Sequence, residues 1–159
     1  MTFIKFLFAM FLSFLPGILG LIVAPIETGD NSWYNTISNS TLTPDGWVFS
    51  AVWTVLYFLI GWALFLIMQK HSSSNRSERI NAYTLFGVNA VLNLLWTFVF
   101  FGAHLPEVAL IVLTALIVIA IFMARAFYRV SKGAFWLTVP YVLWLMFAFY
   151  LNGMIIYLN

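Results

Sequence analysis

Three runs of polar and aromatic side chains recur at helical spacing in this chain. Asn89, Asn93 and Trp96 follow steps of four and three. Phe49, Trp53, Tyr57 and Gly61 step by four, as do Pro140, Trp144, Ala148 and Asn152. Residues spaced this way share one face of a helix. Each run therefore offers a stripe of aromatics with an amide, a hydroxyl or a small residue. Converging stripes would wall a flat cavity in which stacking supplies affinity and amides or indoles fix orientation. A large, planar, mostly apolar ligand suits such a slot. The same residues also suit interhelical hydrogen bonding with tryptophan as core filler. Spacing alone leaves both readings standing.

Other chemistries find little support. Cysteine is absent, which removes disulfides, thiol nucleophiles and thiolate metal sites. The two histidines, His71 and His104, fall on opposite membrane faces in the topology below and cannot share a metal or haem. No metal site and no required cofactor are expected. No carboxylate lies inside an apolar run, so a dry acid–base pair is missing. Neither a serine–histidine–acid arrangement nor a glycine-rich phosphate loop occurs. An intramembrane charge relay of the kind used by proton-coupled pumps is also lacking. A bound pigment remains able to supply chemistry of its own, with aromatic side chains as electron donors.

The elements that must hold these stripes are set by composition. Of 159 residues, 64% are hydrophobic and only 8% charged, against roughly 45–50% and about 25% in soluble domains. Twelve charged side chains cannot cover a soluble fold of this size, and disorder needs the opposite bias. Apolar runs of the length that crosses a bilayer occur at residues 3–24, 47–69, 81–102, 108–127 and 134–158. The expected fold is an all-α membrane protein, a five-transmembrane-helix bundle forming one domain over residues 1–159. Barrel strands would show short alternating segments instead. The first run is too long for a typical signal-peptide core and reads as a retained helix.

Charge placement orients the bundle. With five spans, Lys5, Lys70, Arg76, Arg79, Arg125, Arg129 and Lys132 share one side, and these are all seven basic residues. Glu27, Asp30, Asp45 and Glu107 lie on the other side, and only Glu78 joins the basic one. The positive-inside rule places the N-terminus and the 70–80 and 125–133 connections in the cytoplasm, with the first loop and C-terminus outside. A bacterial cell membrane is preferred to an organelle. A net charge of +2 is too small to suggest nucleic acid, and the basic residues read as topology signals and lipid headgroup contacts.

The first connection, residues 25–46, is unusually long. Loops beyond about 12–15 residues are generally functional or disordered. Trp33 and Tyr34 make it either a lid packed on the bundle or an anchor at the headgroup level.

The residues then become specific. Trp33-Tyr34, Pro44, Trp47-Val48-Phe49, Val52-Trp53-Thr54, Leu56-Tyr57 and Gly61 form one set. Leu92-Asn93-Leu94-Leu95-Trp96 with Phe100-Phe101-Gly102 form a second, and Pro140-Tyr141, Trp144, Phe147-Ala148 and Leu151-Asn152 a third. In order and spacing this resembles the tryptophan-rich sensory protein/translocator protein (TspO/MBR) family, which includes the peripheral benzodiazepine receptor.

The resemblance implies a five-helix bundle, usually a homodimer, with an outward cavity covered by the first loop. It implies binding of porphyrins such as protoporphyrin IX and of isoquinoline carboxamide or benzodiazepine ligands. Tyr34, Pro44, Trp53, Asn89 and Trp144 would contact the ligand. Trp33, Phe49, Tyr57, Asn93, Trp96 and Ala148 would support them. Some bacterial members are described as degrading protoporphyrin in light, and Trp53 and Trp144 match the implicated tryptophans. Three departures stand out: Ser40, Asp45 and Ala51 occupy positions where the family usually has proline, which predicts a less rigid loop and helix entry. Tyr157 lacks a following Lys or Arg, so the sterol-recognition pattern is missing and sterol binding is not carried over. Three functions follow as expectations. The first is a receptor or carrier for porphyrins and similar hydrophobic molecules, tied to tetrapyrrole regulation or stress response. The others are light-dependent porphyrin breakdown and a structural subunit of a membrane complex.

Overall fold

A computed structural model describes residues 2–23, 33–70 and 75–159. Five long helices cross the bundle: α1 (Thr2–Val23), α3 (Gly46–Gln69), α4 (Arg76–Thr97), α5 (Pro106–Val130) and α6 (Lys132–Leu158). A short helix, α2 (Trp33–Thr36), sits in the first connection, and α4 runs on into a π-helical turn, Phe98–Gly102. All five long helices are apolar and long enough to span a bilayer. No strand occurs among the described residues.

The helix ends show why these segments start and stop where they do. Asn75 caps α4 by accepting from the Ser77 amide at 3.1 Å, and Ser131 caps α6 by accepting from the Ala134 amide at 3.4 Å. Pro106 opens α5, where its missing N–H costs nothing, with Glu107 in the first turn and Arg129 in the last. These caps carry three helices past the apolar runs read from the sequence. α4 begins at residue 76 rather than 81, α5 covers 106–130 rather than 108–127, and α6 begins at 132 rather than 134. Hydropathy marks the hydrocarbon slab, whereas backbone hydrogen bonding continues to the next cap. The expected 125–133 connection therefore shrinks to Ser131 alone.

The helices close a ring in which α1 packs on α3, α3 on α6, α6 on α5, α5 on α4, and α4 back on α1. Fully buried Ile67, Leu113, Leu116, Met123, Phe127 and Leu145 form its dry centre. The α1–α3 seam depends on absent side chains. A Cβ at Gly61 would lie 2.5 Å from Ser13 Oγ and 3.3 Å from the Met10 Cα, so α1 lies almost on the α3 backbone there. Both Ala9 and Ser13 are buried in this seam.

Basic residues gather at one end. Lys5 Nζ donates to the Met68 carbonyl at 3.5 Å, and Arg79 Nη1 donates to the Lys70 carbonyl at 3.4 Å. Both satisfy carbonyls at the C-terminal end of α3. Glu27, Asp30 and His71 lie outside the described residues.

Candidate functional site

The opposite end of the ring is hollow. A cavity of about 720 Å³ opens between the end of α1, the start of α3, the end of α4 and the last turns of α6. Helix α2 lies against it, and α5 contributes no wall residue. One wall comes from the α3 stripe of Phe49, Trp53 and Tyr57, and facing it are Trp96, Thr97, Phe100 and Phe101. Ala148, Leu151, Asn152 and Ile155 come from α6, while Phe14, Gly17 and Gly20 come from α1. Gly17 is glycine for a local reason: a Cβ there would stand 2.7 Å from the Tyr57 ring.

Aromatic packing joins the lid to the wall. The Trp33 indole stacks on His104 at 4.6 Å between centroids and 13° between planes, and meets Phe100 edge-on at 5.7 Å. Tyr34 tilts against Phe100 and Phe101 at 6.3 and 5.9 Å. Phe100 in turn stacks on Trp96 at 5.3 Å. The π turn positions this cluster, because the widened turn shifts Phe100 and Phe101 relative to the α4 register. His104 follows with φ of 56°, a left-handed conformation uncommon outside glycine, though histidine adopts it more readily than most residues. Burial raises the Tyr34 hydroxyl pKa above its ordinary value by desolvating the phenolate.

Polar contacts fasten the rest of the loop. Ser38 N–H donates to Asn159 Oδ1 at 2.9 Å, and Asn159 Nδ2 donates back to the Ser38 carbonyl at 3.1 Å. The Ser40 and Tyr150 hydroxyls share a hydrogen bond of 3.3 Å, and the Leu42 amide donates to Ser40 Oγ at 3.2 Å. Position 40, where the family resemblance expected proline, thus holds the loop by hydrogen bonds. Proline at this position could make neither bond through a side chain.

Beneath the cavity floor runs a buried polar chain. Tyr57 Oη donates to Asn93 Oδ1 at 2.9 Å, Asn93 Nδ2 reaches Tyr141 Oη at 3.4 Å, and Tyr141 Oη donates to Asn89 Oδ1 at 2.9 Å. It ties α3, α4 and α6 together across the ring. Trp53 packs above it, 5.4 Å from the Tyr57 ring and 6.3 Å from Tyr141. Both Asn89 and Asn93 are buried.

The two readings of the stripes therefore divide along the membrane normal. Phe49, Trp53, Trp96, Ala148 and Asn152 line the cavity with Trp33 and Tyr34, whereas Asn89 and Asn93 bond helix to helix below it. Tyr57 belongs to both. Three residues expected at the ligand are not on the wall. Asn89 lies under the floor, its Oδ1 taken by Tyr141. Trp144 stands behind Phe49, edge-on at 5.7 Å, and Pro44 is half-buried ahead of α3. A four-residue step drifts about 40° around a helix, so a stripe about three turns long carries its ends onto different neighbours. Gly61, on the same stripe, faces α1 instead. Sequence reading assigned no site role to Phe100, Phe101, Thr97 or the α1 wall. The Phe100-Phe101-Gly102 run was the available signal, but nothing in it announces a π turn.

Among the described residues no group of His, Cys, Asp or Glu could hold a metal ion. No described Lys or Arg lines the cavity. Its hydroxyl hydrogens are largely committed: Thr54 donates to the Ser50 carbonyl at 2.8 Å and Thr97 to the Asn93 carbonyl at 3.1 Å. What remains is a space dominated by aromatic faces and neutral polar atoms.

A five-span bundle with a lidded aromatic cavity at one end defines a class of membrane protein, and comparison with known families places the chain within it. The TspO/MBR family model matches residues 9–158, and the chain belongs to this family. It is 36% identical over 130 residues to the tryptophan-rich protein TspO of Chlorobaculum tepidum, covering 80% of each chain. Identity to the tryptophan-rich sensory protein of Cereibacter sphaeroides is 32% over 149 residues, covering 91% of this chain and 87% of the relative. The translocator protein of Bos taurus is 29% identical over 139 residues, covering 87% of this chain and 82% of the relative. The chain is an integral, multi-pass, all-α membrane protein of that family.

Proposed function

We propose that this protein is a membrane receptor or carrier that binds porphyrins of the protoporphyrin IX type, and similar hydrophobic molecules, in the cavity beneath α2. The supporting observation is the cavity of about 720 Å³ walled by Trp33, Tyr34, Phe49, Trp53, Trp96 and Phe100. Sites for small molecules run to roughly 300–1,000 Å³, lined by apolar and aromatic groups with few polar ones. Family members include proteins named for sensing and for translocation, and occupancy of one cavity serves either. In this reading Trp53 and Tyr34 touch the ligand, and Phe49, Trp96 and Ala148 complete the wall. Asn93 fixes Tyr57. Asn89 and Trp144 act from behind, and Pro44 sets the entry into α3. The protein works as a homodimer in a bacterial cell membrane, basic end in the cytoplasm and lid outside. Tetrapyrrole regulation or stress response is the setting.

Titration of the purified protein with protoporphyrin IX, followed by tryptophan quenching, tests this. Saturable quenching is expected, weakened about tenfold in Trp53→Leu by loss of a stacking ring. Absence of saturable binding would leave the chain as a structural subunit. Trp53 favours a second reading, light-dependent porphyrin breakdown, because its ring combines a place on the wall with a neighbouring tyrosine at 5.4 Å. Bleaching of bound porphyrin under illumination, lost in Trp53→Phe, would select it over simple binding.

A further inference from the structure

At the end of the bundle remote from the cavity, the α5–α6 corner presents cations that the fold does not use. Arg125 and Arg129 are one helical turn apart on α5, which sets them side by side on one face. Both are exposed. Among the described residues neither guanidinium makes a hydrogen bond or an ion pair. This contrasts with Lys5 and Arg79, which close the end of α3. Lys132 follows just past the one-residue turn, its Nζ 6.0 Å from the centre of the Tyr128 ring. Tyr128 meets Phe135 edge-on at 5.4 Å, and Phe135 meets Trp136 at 5.1 Å. Trp136 itself is 67% exposed.

The corner also lies at a definite depth. α5 has 25 residues, about 37 Å at 1.5 Å each, against a hydrocarbon core of about 30 Å. Its last turns must emerge among the headgroups, with Arg125 about 7 Å back from the helix end and Arg129 in the final turn. Tyrosine and tryptophan at this level sit where glycerol and upper acyl carbons lie. Guanidinium forks match phosphate oxygens in pairs.

We propose that Arg125, Arg129 and Lys132, with Tyr128 and Trp136 beside them, form a binding site for the phosphodiester headgroup of an anionic phospholipid. The two guanidiniums grip the phosphate, the ammonium adds charge, and the rings pack on the lipid's glycerol and upper chain. The site is separate from the cavity and independent of what the cavity holds.

The full chain, reconstituted in phosphatidylcholine nanodiscs with and without 30% phosphatidylglycerol, provides the test, with thermal unfolding and native mass spectrometry of retained lipid as readouts. Wild type should unfold several degrees higher with phosphatidylglycerol and retain it through delipidation. Arg125→Gln/Arg129→Gln should lose most of both effects while keeping the same stability in pure phosphatidylcholine. Arg76→Gln, which removes one charge at the same end, should keep them. Equal retention in wild type and the double variant would overturn the site, as would equal loss in Arg76→Gln, which would reduce it to general surface charge. A shift reproduced by inorganic phosphate in phosphatidylcholine discs would assign the corner to a free anion. One reproduced by soluble polyglutamate would assign it to an acidic protein. Either result would overturn the lipid assignment.

Discussion

Asn93 is the residue on which the polar floor turns, since it accepts from Tyr57 and donates to Tyr141 across three helices. Replacing it by leucine removes both bonds and leaves the Tyr57 hydroxyl without its acceptor, while Tyr141 keeps its bond to Asn89. Hydrogen bonds in membrane proteins contribute about 0.6–2 kcal/mol each, and an orphaned buried group adds its desolvation cost. Asn93→Leu should therefore lose about 1–3 kcal/mol in reversible detergent unfolding; an unchanged midpoint would show the chain to be dispensable. Tyr34 gives a prediction in pH. Burial raises its folded pKa, so on raising pH the unfolded state sheds its proton first. The lid's stability is then intact below about pH 10 and declines above it. Hydrogen exchange over residues 33–36 should quicken in that alkaline range, and the Tyr34→Phe difference from wild type should be confined to it. Spacing put Trp53 on an aromatic stripe and loop length singled out Tyr34, but only the family resemblance assigned either to the cavity. The same resemblance put Asn89 and Trp144 at the ligand, and spacing could not correct it, because it cannot tell whether a face meets a hollow or a neighbouring helix.

Among the elements, α1 carries the least chemistry in its sequence and the tightest contact in the structure. Gly61 admits it by leaving the α3 backbone bare beside Met10 and Ser13. A valine there cannot fit without displacing the α1 main chain, because the obstruction includes a backbone atom at 3.3 Å. Gly61→Val should cost about 1–3 kcal/mol by overpacking and open the cavity wall that α1 supplies. Gly87, whose added Cβ would meet nothing, is the matched control, and Gly87→Ala should be near neutral. The sequence reading placed Gly61 on the aromatic stripe, since a glycine carries no mark of which helix it admits. Span positions were readable to within a few residues because apolar length is a direct physical requirement. The extra turn at the start of α4 was not, because Arg76, Ser77, Glu78 and Arg79 look like a loop until Asn75 is seen to cap them. The π turn likewise depends on packing among Trp96, Phe100 and α2, which no local pattern encodes.

For the whole molecule, the ring separates two unlike ends: a closed, basic one where α5 meets α6, and a hollow, neutral one under α2. If the basic end is cytoplasmic, as the positive-inside rule requires, an export-dependent reporter fused after Asn159 will be active, and one fused ahead of residue 2 will not. Both reporters active on the same side would mean that a span fails to cross. Overall architecture was the most legible level, since 64% hydrophobic residues and sorted charges leave the chain few alternatives. The hollow was not, because it arises from glycines, a widened turn and a lid that come from distant parts of the chain.

The clasp between Ser38 and Asn159 spans 121 positions. During synthesis, every span must be made before the amide that fastens the loop appears. Ala148, Leu151, Asn152 and Ile155 of α6, which wall the cavity, are made only shortly before Asn159. Wall and fastening are thus completed within one stretch of chain, and the loop cannot latch over a cavity that still lacks its α6 side.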